Sequence, residues 1–469
     1  MLFRSEAAVA RELDRGRAFV AARVGDSVAR VTPSAVEFAR YRCFEERTRV
    51  ELRPLTLLYG RNNSGKSAVA RAVPVFAGLA SPANELGSLA LESPAARKVH
   101  FAHLFHKGVP AGMEFALHWP EGPVRSARFA FLQQGRRALI SSLQVFGDGD
   151  APLVFATWEG MRGEAPDLTP RKLRYDLRFD GSELGLHTLA FRGVYPDLDE
   201  STVPDAARPT LHELATKLRA FAGSVQWLQA SRPQAERTVA AIDTTGGRPA
   251  RLDPTGANAA AIVAARRDVG DYVSRWYHER AGAEFSVDTV GGNQVLSRFT
   301  LGTGHTADLV DAGEGMIQVL PILTGAALVA GRAEGEPSIL AMEEPESHLH
   351  GDLQLALAED LCALASRPGA GVLLVETHSE AFLLGVQRAA VRATLARQGA
   401  AVEGVALPHE TLALYWAELD RGTGVSRLRR VTLDAQSRLD DAWPSTAFDE
   451  IGAVSDELFT LRQKVRAAR

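Results

Sequence analysis

Residues 55–67 constrain this chain more than any other stretch. Leu55, Leu57 and Leu58 with β-branched Thr56 predict a short buried strand. Gly60, Arg61, Asn62, Asn63, Ser64 and Gly65 follow as a loop, and Lys66 and Ser67 open an Ala/Val-rich segment that predicts a helix. The pattern is G-x-x-x-x-G-K-[ST], and each part has a task. Gly60 and Gly65 let backbone N–H groups turn inward toward phosphate oxygens, while the helix start adds free donors and the positive end of its dipole. Lys66 would reach the β- and γ-phosphates, and the Ser67 hydroxyl would sit on Mg2+. With a strand before the loop and a helix after it, a nucleotide site is favoured over a chance glycine turn.

Such a loop needs an acidic partner, because phosphoryl transfer is mostly positioning and neutralisation of charge. A continuous apolar strand, 338–342, ends in Glu343 and Glu344, followed by Pro345, Glu346, Ser347, His348, Leu349 and His350. Glu343, the first acid after the strand, is expected on the metal. Glu344 follows where a general base or water-orienting group would lie, with Glu346 in reserve. A second apolar strand, 371–375, runs into Glu376, Thr377, His378 and Ser379. His378 at its tip can donate a hydrogen bond to a γ-phosphate and so report its presence. His348 and His350 with Glu346 could suggest a metal site, but without a further ligand cluster a capping or subunit-contact role is favoured. Gly313 and Gly315, opening an apolar helix that runs to about Val329, form another possible phosphate cradle. One nucleotide needs only one such cradle per subunit. This one is expected to act in trans, two heads sandwiching two nucleotides.

Bulk properties set the frame. The 469 residues allow two or three domains, or one large domain with insertions, and 46% hydrophobic with 23% charged residues is ordinary for a globular protein. The longest apolar run, 319–330, contains a proline and is too short to span a bilayer, and Arg4, Glu6, Arg11 and Glu12 interrupt any secretory core. Cys43 and Cys362 make neither a disulfide framework nor a metal knuckle, so a reducing cytoplasm is expected, with no membrane partner. A net charge of -4 argues against a nucleic-acid coat but leaves room for a local basic groove.

Along the chain, residues 1–33 predict an amphipathic helical extension. Residues 34–84 hold two antiparallel strands, the phosphate loop and a helix to about Leu79 with Pro74 as kink or stop. Residues 85–310 carry strand-like runs at 113–119, 124–133, 139–146 and 173–179, helices from about Thr210 and over 258–280, and a strand at Trp227; they are expected to form an inserted strand-and-helix lobe. Residues 311–390 alternate strands and helices, each strand wholly apolar, as in a parallel sheet covered on both faces. Residues 391–469 predict a hairpin (412–419 and 426–433) and a terminal helix.

The ordered set 60–67, 311–318, 339–344 and 376–378 resembles the ABC-type ATPase heads of the SMC, RecF and OLD group. The runs 343–350 and 376–380 are more closely similar to the prokaryotic ATPases that accompany nucleases in anti-phage systems, such as Septu ATPase subunits. The tail around Trp443, Pro444, Phe448, Asp449 and Glu450 resembles the end of those ATPases. The resemblance implies an α/β fold: an ABC-ATPase head with a mixed central sheet, parallel in its phosphate-loop core, and an antiparallel arm. It also implies ATP and Mg2+ as cofactors, Lys66 and Ser67 on phosphate and metal, Glu343 at the metal position and His378 as the switch histidine. The implied activity is ATP hydrolysis by a homodimer or higher homo-oligomer. A separate nuclease subunit would be the effector, since no nuclease motif follows His378. The sequence departs from the pattern in having Glu343 where Asp is usual, Asp311-Ala312 where transporter heads place a Ser, and no evident Q-loop. Two other readings are a RecF-like repair ATPase that binds DNA directly and a transporter subunit; the large insert and the 343–350 run oppose the latter.

Overall fold

The computed structural model describes residues 32–444 and 447, apart from 90, 92, 110, 135–136, 163–172, 243–250, 303 and 332–335. The helices expected before Thr32 and at the C-terminus, and the tail residues Phe448, Asp449 and Glu450, lie outside the described residues.

In chain order, β1 (Ala35–Ala39) and β2 (Thr48–Glu51) pair as a hairpin, β3 (Leu55–Gly60) enters the phosphate loop, and α1 (Lys66–Leu79) leaves it. Six strands follow: β4 (Ala111–His118), β5 (Ser126–Gln134), β6 (Arg137–Phe146), β7 (Pro152–Trp158), β8 (Arg174–Phe179) and β9 (Ser182–Thr188). Each pairs antiparallel with the next, and β4 pairs antiparallel with β1, giving an eight-stranded sheet ordered β2-β1-β4-β5-β6-β7-β8-β9. The first half of the insert therefore continues the arm begun by β1. Period-two alternation sets its inner face: Ala127, Phe129 and Phe131 of β5 are fully buried, while Ser126, Arg128 and Ala130 between them are only half-buried.

The small hairpin β10 (Ala190–Arg192) and β11 (Tyr195–Asp197) leads through α2 (Arg208–Ser224) to β12 (Val225–Leu228). Next come β13 (Thr238–Ala240), α3 (Ala259–Ala265), α4 (Arg267–Ala281), β14 (Ala283–Val290), β15 (Gln294–Leu301) and β16 (Thr306–Asp308), a second antiparallel sheet with two helices. The helix expected over 258–280 is thus two helices. Arg266 adopts φ -124° and ψ 100° between them, with its guanidinium bonded to Asp268 and Glu336. In contrast, α1 runs unbroken through Pro74. Val69, Val73, Phe76 and Leu79 bury it against the sheets, and that packing outweighs a local cost of about 3 kcal/mol.

The chain then alternates: α5 (Glu314–Gly331), β17 (Ile339–Glu343), α6 (Gly351–Ala365), β18 (Val372–Glu376), α7 (Glu380–Arg397), and the hairpin β19 (Leu412–Asp420) and β20 (Val425–Val431). The six-stranded sheet is ordered β12-β17-β18-β3-β19-β20, parallel throughout except for β20. α5 is apolar on every side because it is a core helix; Val319, Leu320, Ile322, Leu323, Ala326 and Leu328 are all buried.

The parallel sheet is covered on both faces, as its all-apolar strands require. Ile339 and Ala341 of β17 and Val372 and Leu374 of β18 join the cluster that holds α1 and the arm sheet; Leu340, Met342, Leu373 and Val375 join the one that holds α5, α6 and α7. A parallel phosphate-loop core with one intervening strand between β3 and the acid-tipped β17, flanked by an antiparallel arm, is the mixed-sheet α/β head expected from the sequence.

Candidate functional site

The phosphate loop is built from close approaches that only glycine permits. Gly60 has φ +149° and a side chain there would overlap the Ala417 carbonyl and crowd Ser64 Oγ. Gly65 has φ +98°, and a Cβ would lie 2.7 Å from Cys43 Sγ and 3.0 Å from the Phe44 ring. Gly65 caps α1 without a side-chain hydrogen bond, and the first turn of α1 holds no acid. The N-terminal N–H groups are therefore free for an anion. Arg61, Asn62 and Asn63 are exposed at the loop rim and Ser64 is buried beneath it. Lys66 folds back, Nζ donating to the carbonyls of Gly60 at 2.8 Å and Arg61 at 2.9 Å. Burial pulls its ammonium down to about 8, against the opposing charges of Glu376, Glu344 and Glu346.

Strand alternation continues to the two acids. Glu343 and Glu376 face each other across β17 and β18 in register, and both fall on the α1 face of the sheet. Ser67 and Arg71, four residues apart on α1, lie on one helix face and meet the two acids in turn. Ser67 Oγ donates to Glu376 Oε1 at 2.6 Å. Arg71 grips Glu343 with both arms, Nε to Oε1 at 2.5 Å and Nη2 to Oε2 at 2.6 Å, and Trp227 Nε1 donates to Oε1 at 3.0 Å. Glu343, the acid expected on the metal, is held in this ion pair. β18 lies between β17 and β3, so Glu376 is the acid on the strand next to the phosphate loop. Burial pushes the Glu376 carboxyl up to about 7 despite the Ser67 bond, with the charge of Glu343 adding to the effect.

Beyond the strand tips the chain turns sharply. Glu344 has φ +45°, a left-handed conformation that a non-glycine residue adopts at a cost of order 1 kcal/mol, and its N–H donates to the Glu376 carbonyl at 2.8 Å. Its half-exposed carboxylate faces His378, Oε1 to Nε2 at 4.0 Å. Burial and the Lys66 charge hold His378 below the usual imidazole range, with Glu344 opposing. Glu346 is buried and accepts from Thr377 Oγ1 at 2.6 Å and from the His378 N–H at 2.8 Å. It therefore fixes the loop that carries His378, while Glu344 is the acid open to a reacting group.

Arg232, missed from the sequence, ties this turn to α5. It is buried, Nη2 donates to the Glu344 carbonyl at 3.1 Å and Nε to Gln318 Oε1 at 2.9 Å. Gln318 in turn donates to Glu314 Oε1 at 2.7 Å. Gly313 stands exposed before α5, and Gly315 packs so closely on the His348 carbonyl that a Cβ would lie 2.7 Å from it. That corner is thus fastened to the acidic turn of its own chain. Among the described residues no group of three or more His, Cys, Asp or Glu side chains is arranged as a metal cage. His350 is exposed, and Glu346 is turned to the switch loop.

The residues fit ATP with Mg2+: a glycine cradle that a Cβ would fill, an uncapped helix start, and an oxygen-only pair, Ser67 and Glu376, of the kind Mg2+ takes alongside substrate phosphates. Residues 206–384 match the family described as "AAA domain, putative AbiEii toxin, Type IV TA system". That span includes β12, Arg232, the α5 corner, both acid-tipped strands and His378. No curated protein matches the chain by sequence. Among solved structures, the chain is similar to an SMC head bound to the C-terminal winged-helix domain of ScpA, at 10% identity over 86% of this chain and 98% of that one (TM-score 0.46). It is also similar to the SMC head of Thermotoga maritima, at 11% identity over 86% and 99% (TM-score 0.38). A third is an SMC head with an extended coiled coil bound to the C-terminal domain of ScpA, from Pyrococcus furiosus, at 9% identity over 85% and 96% (TM-score 0.40). Over residues 206–384 the chain is thus similar to an AAA domain, set on an α/β head whose sheet carries the phosphate loop.

Proposed function

We propose that the chain binds ATP with Mg2+ between two heads and hydrolyses it, serving as the cytoplasmic sensor or regulatory subunit of a nuclease-linked anti-phage complex. The observation that carries the hydrolytic part is the convergence of Glu344 and His378, 4.0 Å apart, just beyond the ends of β17 and β18. In this reading Lys66 exchanges its bonds to the Gly60 and Arg61 carbonyls for the β- and γ-phosphates, and the free N–H groups of α1 receive the phosphate oxygens. Ser67 and a strand-end carboxylate would hold Mg2+, which would supply neutralisation of the charge that develops on the phosphates. Glu344 orients the attacking water and accepts its proton, and His378 donates to the γ-phosphate. The corner at Gly313 and Gly315 reaches the nucleotide of a second copy. The defence role is supported by the likeness of the 343–350 and 376–380 runs to the ATPases of such systems, with nuclease activity left to a separate subunit.

The test is Glu344→Gln. The variant should bind ATP like the parent, lose hydrolysis by about 100-fold or more, and form an ATP-dependent dimer in light scattering. Normal turnover in the variant would remove Glu344 from the mechanism, and a monomer at saturating ATP would remove the sandwich.

A further inference from the structure

We propose that Glu376, not the acid that ends β17, is the carboxylate that Mg2+ meets in this chain, and that Arg71 has taken Glu343 out of metal binding to serve as a fixed counter-ion. The inference rests on the ATP·Mg2+ reading above and asks which residue completes it. Three observations carry it. Ser67, the hydroxyl that the loop places on the metal, is bonded directly to Glu376 Oε1 at 2.6 Å. The other oxygen, Glu376 Oε2, is buried without a hydrogen-bond partner on a residue only 3% exposed, a cost that a protein meets where a ligand completes the set. Glu343 has the opposite character. Its two oxygens receive two arms of Arg71 and the Trp227 indole, and Arg97 Nη2 stands 3.7 Å from Oε2. To reach a cation at Ser67, Glu343 would have to abandon a bidentate buried ion pair, whereas Glu376 has only to release one hydroxyl.

The chemistry suits the cation. Mg2+ takes one or two carboxylates with water and phosphate oxygens, so a hydroxyl and one free carboxylate oxygen are sufficient from the protein. Glu343 then acts at one remove, balancing Arg71 so that the guanidinium does not compete for Glu376. Arg71 is the positioning residue of the pair.

The experiment measures fluorescent mant-ATP affinity of the full chain in excess EDTA and in excess Mg2+, without reference to turnover. The parent should bind more tightly with Mg2+. Glu376→Gln keeps the shape and the Ser67 bond; it should retain EDTA affinity and lose about 10- to 100-fold of the Mg2+ enhancement. Glu343→Gln should keep the enhancement to within about 3-fold. If Glu376→Gln does not fold, judged by its far-UV spectrum and melt, Glu376→Asp withdraws the oxygen by one methylene and should show the same selective loss. Retention of the enhancement in the Glu376 variant together with its loss in Glu343→Gln overturns the inference while leaving the ATPase reading intact. A parent that binds no mant-ATP in either condition overturns the ATPase reading, and this assignment with it.

Discussion

Arg71→Met tests how firmly the ion pair behind the phosphate loop holds Glu343. Glu343 is 2% exposed and Arg71 11%. Removing Arg71 leaves a buried carboxylate with the Trp227 N–H as its main partner, Arg97 being more distant and half-exposed. Breaking one side of a buried pair costs about 3–5 kcal/mol, because the remaining charge keeps its desolvation penalty. With an unfolding entropy of about 2.1 cal/mol/K per residue over 469 residues, each kcal/mol moves Tm by about 1 °C. The expected fall is therefore about 3–5 °C in nucleotide-free calorimetry. The double variant Arg71→Met/Glu343→Met replaces the pair with apolar side chains of similar length. It should recover most of the loss, stopping about 1–2 °C short because Trp227 Nε1 is left without its acceptor. A single variant that falls by less than about 1 °C, or a double variant less stable than the single, would refute the claim that Glu343 is buried as a charged partner of Arg71.

Two further predictions concern the loop and the arm. Gly60→Ala places a methyl group against the Ala417 carbonyl at a positive φ, so the β3–β19 pairing must shift; ATP binding should fall by about 10-fold or more with a lowered Tm, and unchanged affinity would contradict the packing described. Glu37 is held down to about 2, burial being outweighed by His118 and Arg47 beside it. Its folded pKa is depressed, so its contribution is fully present above about 4.5 and is lost as pH falls through about 2. Allowing for solvent around the half-exposed Arg47, this is about 1–2 kcal/mol. Urea titrations of the parent and Glu37→Gln should converge between those pH values, and parallel curves would refute the assignment.

Much of the core was legible because its residues obey one period at a time. The strands 338–342 and 371–375, the helices around them and the hairpin 412–419/426–433 all appear within a few residues, since the two strands are apolar runs that end in acid, the helices keep helical spacing, and the hairpin is marked by its glycine-bearing turn. The insert resisted for a different reason. β7 and β9 went unread; in β9 every residue is exposed or only half-buried, so its sequence lacks the contrast that reveals a half-buried strand. Nor does local sequence reveal that β4 returns to pair with β1, because that contact spans more than seventy intervening positions and depends on what else the arm must cover. Arg266 breaks a helical pattern through ion pairs with Asp268 and Glu336, the latter distant in sequence.

The division of labour between the two strand-end acids was within reach of the sequence, though only by combining signals from three segments. Alternation puts Glu343 on the same face as Ile339 and Ala341, and Glu376 on the same face as Val372 and Leu374, so both acids look toward α1. Helical spacing puts Ser67 and Arg71 on one face of α1, a turn apart. What spacing alone leaves open is which acid meets which residue. Strand order decides it: with β18 between β17 and β3, the nearer acid takes the hydroxyl at the helix start and the farther one takes the guanidinium a turn later. A chain carrying Glu376 but lacking a basic residue at position 71 would have no such reason to separate the two carboxylates, and both could then turn to the metal.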